Sequence, residues 1–179
     1  MNKRLIIFLL NVTCLVVPFM GHAKTSQYVK VGYINLDRII QTYTAKYLEA
    51  EIKLIENSIS QLPAYSVINY LTLTEKEKSE LQSKLQDYSF KLETLKSNKY
   101  FWNVYGEFMD DTIYDKIQKD IMEAIRKVSI LEGYSMVLDS TDNFVYGSED
   151  VNLTEKVLFR LDEKLLKLEI NENENSIEF

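Results

Sequence analysis

The chain has one cysteine and one histidine in 179 residues, and both fall within the first 23. Met1–Ala23 has the make-up of a secretory signal. Lys3 and Arg4 form a positive start, Leu5–Val17 is mostly apolar, Pro18 breaks the run, and Gly21-His22-Ala23 places small residues at the −3 and −1 positions of a cut. The apolar run is short for a membrane span of about 20 residues. Asn11-Val12-Thr13 before Cys14 is a poor lipoprotein signal. Cleavage after Ala23 is therefore expected, and Cys14 and His22 leave with the signal. An exported chain without cysteine has no disulfide and is held by packing alone. Without His or Cys it also lacks the usual general base and thiol nucleophile. No glycine-rich phosphate loop is present, and no acidic cluster has calcium-loop spacing. The chain reads as a non-enzyme without a cofactor or metal.

Turn formers are equally scarce. Five glycines and two prolines favour long helices over an all-β fold. Basic residues are in deficit. The net charge is −6, and loss of Lys3 and Arg4 makes it −8, which argues against nucleic acid as a partner. Hydrophobic residues make up 46% and charged residues 27%, too polar for a polytopic membrane protein and too apolar for disorder.

What is abundant is helical periodicity. From Thr74 to Leu131 apolar residues recur in steps of three and four: Leu81, Leu85, Tyr88, Leu92, Leu95, a charged slot at Lys99, Trp102, then Met109, Ile113, Ile117, Ile121, Ala124, Val128 and Leu131. This is the spacing of a coiled-coil seam, with a stutter between Met109 and Ile117. A continuous helix of this length would span about 85 Å. It needs a partner helix, and Arg38–Leu62 supplies one. That segment carries two stripes, Leu36, Ile40, Tyr43, Tyr47, Ala50, Leu54 and Leu48, Ile52, Ile55, Ile59, Leu62, so neighbours are expected on two faces. Asp37 is expected to cap it and Pro63 to end it. The outgoing helix is too short to match the full return run, so either the turn lies nearer Leu85 or the rod is interrupted at Gly106 or Ser97-Asn98. Pro63 and the capping box Thr74-x-x-Glu77 place the tip at 63–74.

Strands flank this hairpin. Tyr28–Leu36 alternates, with Val29, Val31 and Tyr33 on one face. After Gly133, a helix stop, Tyr134–Asp139 and Phe144–Tyr146 read as a β-hairpin around Ser140–Asn143. Asn152 or Thr154 starts a last helix with the stripe Val157, Leu158, Leu161, Leu165, Leu168, and 169–179 is expected to be a disordered tail. The expected class is α+β. A small β-sheet body (24–36 and 133–168) carries a long protruding helical hairpin arm (37–132). Its exposed strand edges favour oligomerisation.

Three stretches resemble the Skp/OmpH family of periplasmic chaperones: K-V-G-Y-I-N-L at Lys30–Leu36, L-T-E-K-E-K-S-E-L-Q-S-K-L-Q at Leu73–Gln86, and G-Y-S-M-V-L-D-S-T-D-N-F-V-Y-G-S-E-D-V-N-L-T-E-K-V-L at Gly133–Leu158. The resemblance implies a homotrimer whose sheets form a central body. Three arms would enclose a cavity that holds unfolded outer-membrane proteins without ATP. The family's arms are rich in Lys and Arg, whereas here Lys76, Lys78 and Lys84 are offset by Glu75, Glu77 and Glu80. Electrostatic capture and a lipopolysaccharide site are therefore not carried over, and any membrane contact is expected to be peripheral.

Two apolar groups are candidate client contacts. Phe101, Tyr105 and Phe108 are expected to share a helix face away from the seam. Tyr65, Val67, Ile68, Tyr70 and Leu71 occupy the tip. For both, the alternative is internal packing, and Trp102 is assigned to the core. For the whole chain, the alternative is an envelope protein that uses its coiled coil only to oligomerise.

Overall fold

A computed structural model describes residues 29–62, 71–141 and 147–175. The expected signal, the tip residues Tyr65, Val67, Ile68 and Tyr70, and the strand Phe144–Tyr146 lie outside the described residues.

Strand β1 is Val31–Ile34, shorter than the periodic stretch that predicted it. It ends because Asn35 already caps the next helix, α1, Leu36–Gln61. The Asn35 side chain accepts from the Arg38 amide at 2.8 Å, and Asp139 accepts from the Leu36 amide at 3.2 Å. The expected cap, Asp37, sits instead in the first turn, where an acid still complements the helix dipole. At the far end Leu62 is extended (ψ 136°), as the residue before a proline must be.

The return run is two helices. α2, Glu75–Tyr105, starts with the predicted capping box: Thr74 accepts from the Glu77 amide, and the Glu77 carboxylate accepts from the Thr74 amide. It stops at Gly106, whose φ of +69° is left-handed. α3, Asp111–Leu131, begins anew, with Asp110 accepting from the Thr112 amide at 2.8 Å. Of the interruptions the sequence allowed, the structure has the one at Gly106, and the stutter from Met109 to Ile117 falls mostly within α3. The break also settles the mismatch of arms, because α1 and α2 are about 39 and about 46 Å long at 1.5 Å per residue. Met109 and Leu131, expected in the seam, are exposed.

α2 runs antiparallel to α1, a direction fixed by the pairs Lys96–Glu56 at 2.8 Å and Lys99–Glu49 at 3.9 Å. Lys99, the charged slot in the seam, therefore reaches across to the partner helix. The seam residues Leu81 and Leu95 are buried.

After Gly133, again left-handed at φ +71°, β2 (Met136–Asp139) pairs with β1. The pairing is parallel, in the register Val31↔Met136 to Ile34↔Asp139. The helical crossover dictates this sense: α3 delivers the chain to the start of β1, where Lys30 Nζ donates to the Glu132 carbonyl at 2.8 Å. Along the other edge of β1, Leu153 N donates to the Tyr33 carbonyl at 2.8 Å. Three strands were expected; the sheet has two among the described residues. Gly32 permits a close approach here, since a Cβ on it would lie 3.0 Å from carbon atoms of Leu153 and Tyr134.

A 3₁₀ turn, Glu149–Val151, leads into α4, Thr154–Asn175. Of the expected tail, 169–175 continue the helix, and 176–179 lie outside the described residues. The whole predicted stripe Val157–Leu168 packs inward. α1 contacts α2 on one side and α4 on another, as its two stripes required. α4 lies parallel to α1 through Arg38–Glu155 at 2.5 Å and Lys46–Asp162 at 2.7 Å, and antiparallel to α3 through Lys156–Glu132 at 2.6 Å. The core lies where the inner half of α1, α3 and α4 meet the sheet, with Ile39, Tyr43, Leu48, Ile117, Ile121, Leu153 and Val157 buried. The Thr44 hydroxyl is buried there without a partner.

Candidate functional site

The corner where α2 gives way to α3 gathers six aromatic rings, Tyr100, Phe101, Trp102, Tyr105, Phe108 and Tyr114. On the last two turns of α2, Phe101 packs between Tyr100, edge-on at 6.2 Å between ring centres, and Tyr105 at 5.2 Å. Tyr100 and Tyr105 are each 61% exposed, and Val104 and Phe90 on the same helix are exposed as well. These rings lie off the seam, because Leu95 and Trp102 take the positions toward the core.

Phe108 departs from the expected face. Because α2 ends at Tyr105, Phe108 is not one helical turn beyond Phe101 and Tyr105. It lies in the loop and stacks on Trp102, with ring centres 4.9 Å apart and planes 30° apart. It then meets Tyr114 of α3 at 5.7 Å. The structure therefore brings Phe101 and Tyr105 together and puts Phe108 with Trp102, both partly buried against the core. Of the tip group only Leu71 is among the described residues, and it is 75% exposed.

Beside these rings runs an open groove of about 570 Å³, lined by Ser89, Leu92, Glu93, Lys96, Tyr100 and Phe101 of α2, with Met109 from the loop. Its floor is apolar and aromatic, and its charged members, Glu93 and Lys96, differ in sign. Such a surface can take apolar side chains of many shapes. Aromatic rings give large contact area, and a methionine adapts to irregular partners. Met109 could not be assigned here from the sequence, where the heptad placed it in the seam.

Asn98 is the other residue that periodicity did not single out beyond marking a possible interruption. Its carboxamide is buried, donates to the Thr94 carbonyl at 2.9 Å, and accepts from the amides of Met109 at 2.9 Å and Asp110 at 3.1 Å. The signal was an asparagine one residue before the charged slot of a leucine seam.

A second polar cluster joins three helices. Tyr43 of α1 donates to Asp120 of α3 at 2.9 Å, and Lys164 of α4 reaches Asp120 at 2.8 Å and Glu123 at 3.0 Å. Burial first, then the Asp120 carboxylate, pushes the Tyr43 phenol well above its usual range. Burial and Glu51 do the same to Tyr47. Hydrogen bonds from Lys127 and Lys164 hold Glu123 down at about 2. Burial lowers Lys164, but its bonds to Asp120 and Glu123 outweigh that and raise it. Every charge in the cluster has a partner, which marks it as an internal tie. Among the described residues no group of His, Cys, Asp and Glu gathers as metal ligands, and no helix is long and apolar enough to cross a membrane.

Among the described residues, four helices and a small two-stranded parallel sheet make this an α+β protein, with apolar rings left uncovered where α2 gives way to α3. The match to known families narrows this. Residues 30–161 fit the family model described as Outer membrane protein (OmpH-like), and the chain belongs to that family. No curated protein matches the chain individually.

Proposed function

We propose that the chain is an ATP-independent periplasmic holdase that keeps unfolded outer-membrane proteins from aggregating. The observation that carries this reading is the family match across residues 30–161, whose members are chaperones of outer-membrane proteins. The signal-like Met1–Ala23 fits export, with cleavage after Ala23.

The working form is a homotrimer. In support, one face of the sheet leaves Val29, Val31, Met136 and Leu138 exposed together, and a small sheet with an uncovered apolar face favours pairing with copies. The client surface is the corner of α2, with Phe101 and Tyr105 beside the groove. Phe108 serves mainly by packing on Trp102. The tip residues Tyr65, Val67, Ile68, Tyr70 and Leu71 form a second apolar contact. Capture is by many weak apolar contacts rather than by charge, because the arm's lysines are matched locally: Lys78–Glu75, Lys76–Glu80 and Lys91–Asp87. Weak contacts that add up over several sites suit a promiscuous binder. Nucleic acid is no partner, and membrane contact is peripheral.

The test uses residues 24–179. Their mass in solution should be that of a trimer, and they should suppress aggregation of an unfolded outer-membrane barrel diluted from urea. A monomer that leaves aggregation unchanged would overturn the reading.

A further inference from the structure

α2 does not run into α3; it stops, and the five residues from Gly106 to Asp110 cross the gap outside either helix. Gly106 frees the chain to turn but does not aim it, since nothing lies within 4 Å of where its Cβ would stand. What aims it is a side chain two turns back. Asn98 is 1% exposed. Its oxygen accepts from two successive loop amides, Met109 and Asp110, and its nitrogen is anchored on the Thr94 carbonyl. Both lone pairs of the oxygen are thereby used.

Three features depend on where those two amides are held. Met109 is carried to the groove that Leu92, Lys96, Tyr100 and Phe101 line on α2, and it is the groove's one lining residue outside that helix. Phe108 is set against Trp102. Asp110 is placed to cap α3. Two part-buried amides left without their acceptor would turn toward water and take Met109 with them.

We propose that Asn98 is the positioning residue of the client groove: its buried carboxamide clamps the Met109 and Asp110 amides, and the groove keeps its outer wall only while that clamp is closed. This rests on the holdase reading for the identity of the occupant, an extended apolar segment of an unfolded barrel protein. The clamp itself does not depend on that reading.

Trp102 is the chain's single tryptophan and reports on the corner, so clamp and client can be read separately. In the unsubstituted trimer, the Met109 and Asp110 amides should exchange hydrogen at least 100-fold more slowly than the neighbouring loop amide of Glu107. Exchange at the same rate would overturn the clamp without any variant. Asn98→Ala should shift Trp102 emission to the red and weaken binding of an unfolded barrel protein about tenfold, with helix content and oligomer mass unchanged. Asn98→Asp keeps the oxygen that accepts from both amides but loses the donor to the Thr94 carbonyl, so it should fall between Asn98→Ala and the unsubstituted protein in both emission and affinity. Unchanged emission in Asn98→Ala would show that the carboxamide does not hold the corner. A red shift with unchanged client affinity would show that the corner is no part of the site. If Asn98→Ala fails to fold, amide exchange in the unsubstituted protein and the Asn98→Asp variant still decide. If the unsubstituted protein binds no client while the exchange and emission results hold, the holdase reading fails and the clamp stands.

Discussion

The Tyr43 hydroxyl donates across 2.9 Å to the Asp120 carboxylate, tying α1 to α3 where Asp120 is 3% exposed. Lys164 completes the tie from α4. A buried acid with two partners is tolerated; the same acid with one lost is costly.

Removing the cation should therefore hurt more than removing the pair. Lys164→Met should destabilise the fold by about 2–4 kcal/mol, because Asp120 is left without its counter-charge. Adding Asp120→Asn should recover at least half of that loss. Urea denaturation of the two variants checks this, and a double variant less stable than the single would contradict it.

The same cluster sets the pH limits. Glu123 is depressed to about 2 in the folded chain, so its stabilisation is fully present above the ordinary glutamate value, near 4.3, and is lost as pH falls toward 2. Tyr43, Tyr47 and Lys164 are raised. Their contribution is complete below their unfolded values, near 10, and fades as pH rises through the folded ones. Stability should thus be level between about pH 5 and 10 and fall on both sides. Glu123→Gln should reduce the acid limb and, by removing one of the two acids that raise Lys164, also weaken the alkaline one, in thermal melts from pH 2 to 11.

Two glycines should respond to alanine for different reasons. At Gly106 only the left-handed backbone is at issue, at a cost of about 1–2 kcal/mol. At Gly32 the added methyl meets Leu153 and Tyr134 at 3.0 Å, so the strand must shift, costing about 1–3 kcal/mol. Melting should show both losses. Only Gly32→Ala should also disturb the β1–β2 amides in hydrogen exchange.

The groove makes a prediction about binding. Changing Phe101 and Tyr105 together to serine should weaken client holding about five- to twentyfold by removing partly exposed ring surface, with the oligomer intact. Phe108→Ser should act differently, lowering stability by about 1–3 kcal/mol through loss of the Trp102 stack. Light-scattering suppression and urea melts on the two variants separate these effects.

How much of this could be read from the residues varies with the physics behind each feature. Packing periodicity is local in sequence, so α1 with its two faces, the stripe of α4 and the Thr74–Glu77 box were legible. The break at Gly106 was one of the options the residues allowed, and the heptad count could not choose among them because it registers spacing and not backbone continuity; five loop residues can preserve the count while breaking the helix. Asp37 was mistaken for the cap because Asn35 competes two residues earlier and is held by Thr154, whose hydroxyl accepts from the Asn35 amide at 2.9 Å. That contact is visible only in three dimensions. The placement of Phe108 and the role of Asn98 follow from the same break, and neither is encoded in any pattern.

The parallel register of β1 with β2 bears on the order of assembly. Lys30 and Glu132, which meet at the mouth of the sheet, are 102 residues apart in the chain. β1 is the first element of the described chain, and its partner follows only after all three long helices. Closure of so distant a pair is slow, because the ordering entropy of the intervening chain comes before any reward. Until Met136–Asp139 arrives, Val31–Ile34 is an unpaired apolar strand. On the proposed holdase reading, a newly exported copy would thus pass through a stage at which it resembles the clients assigned to the finished one.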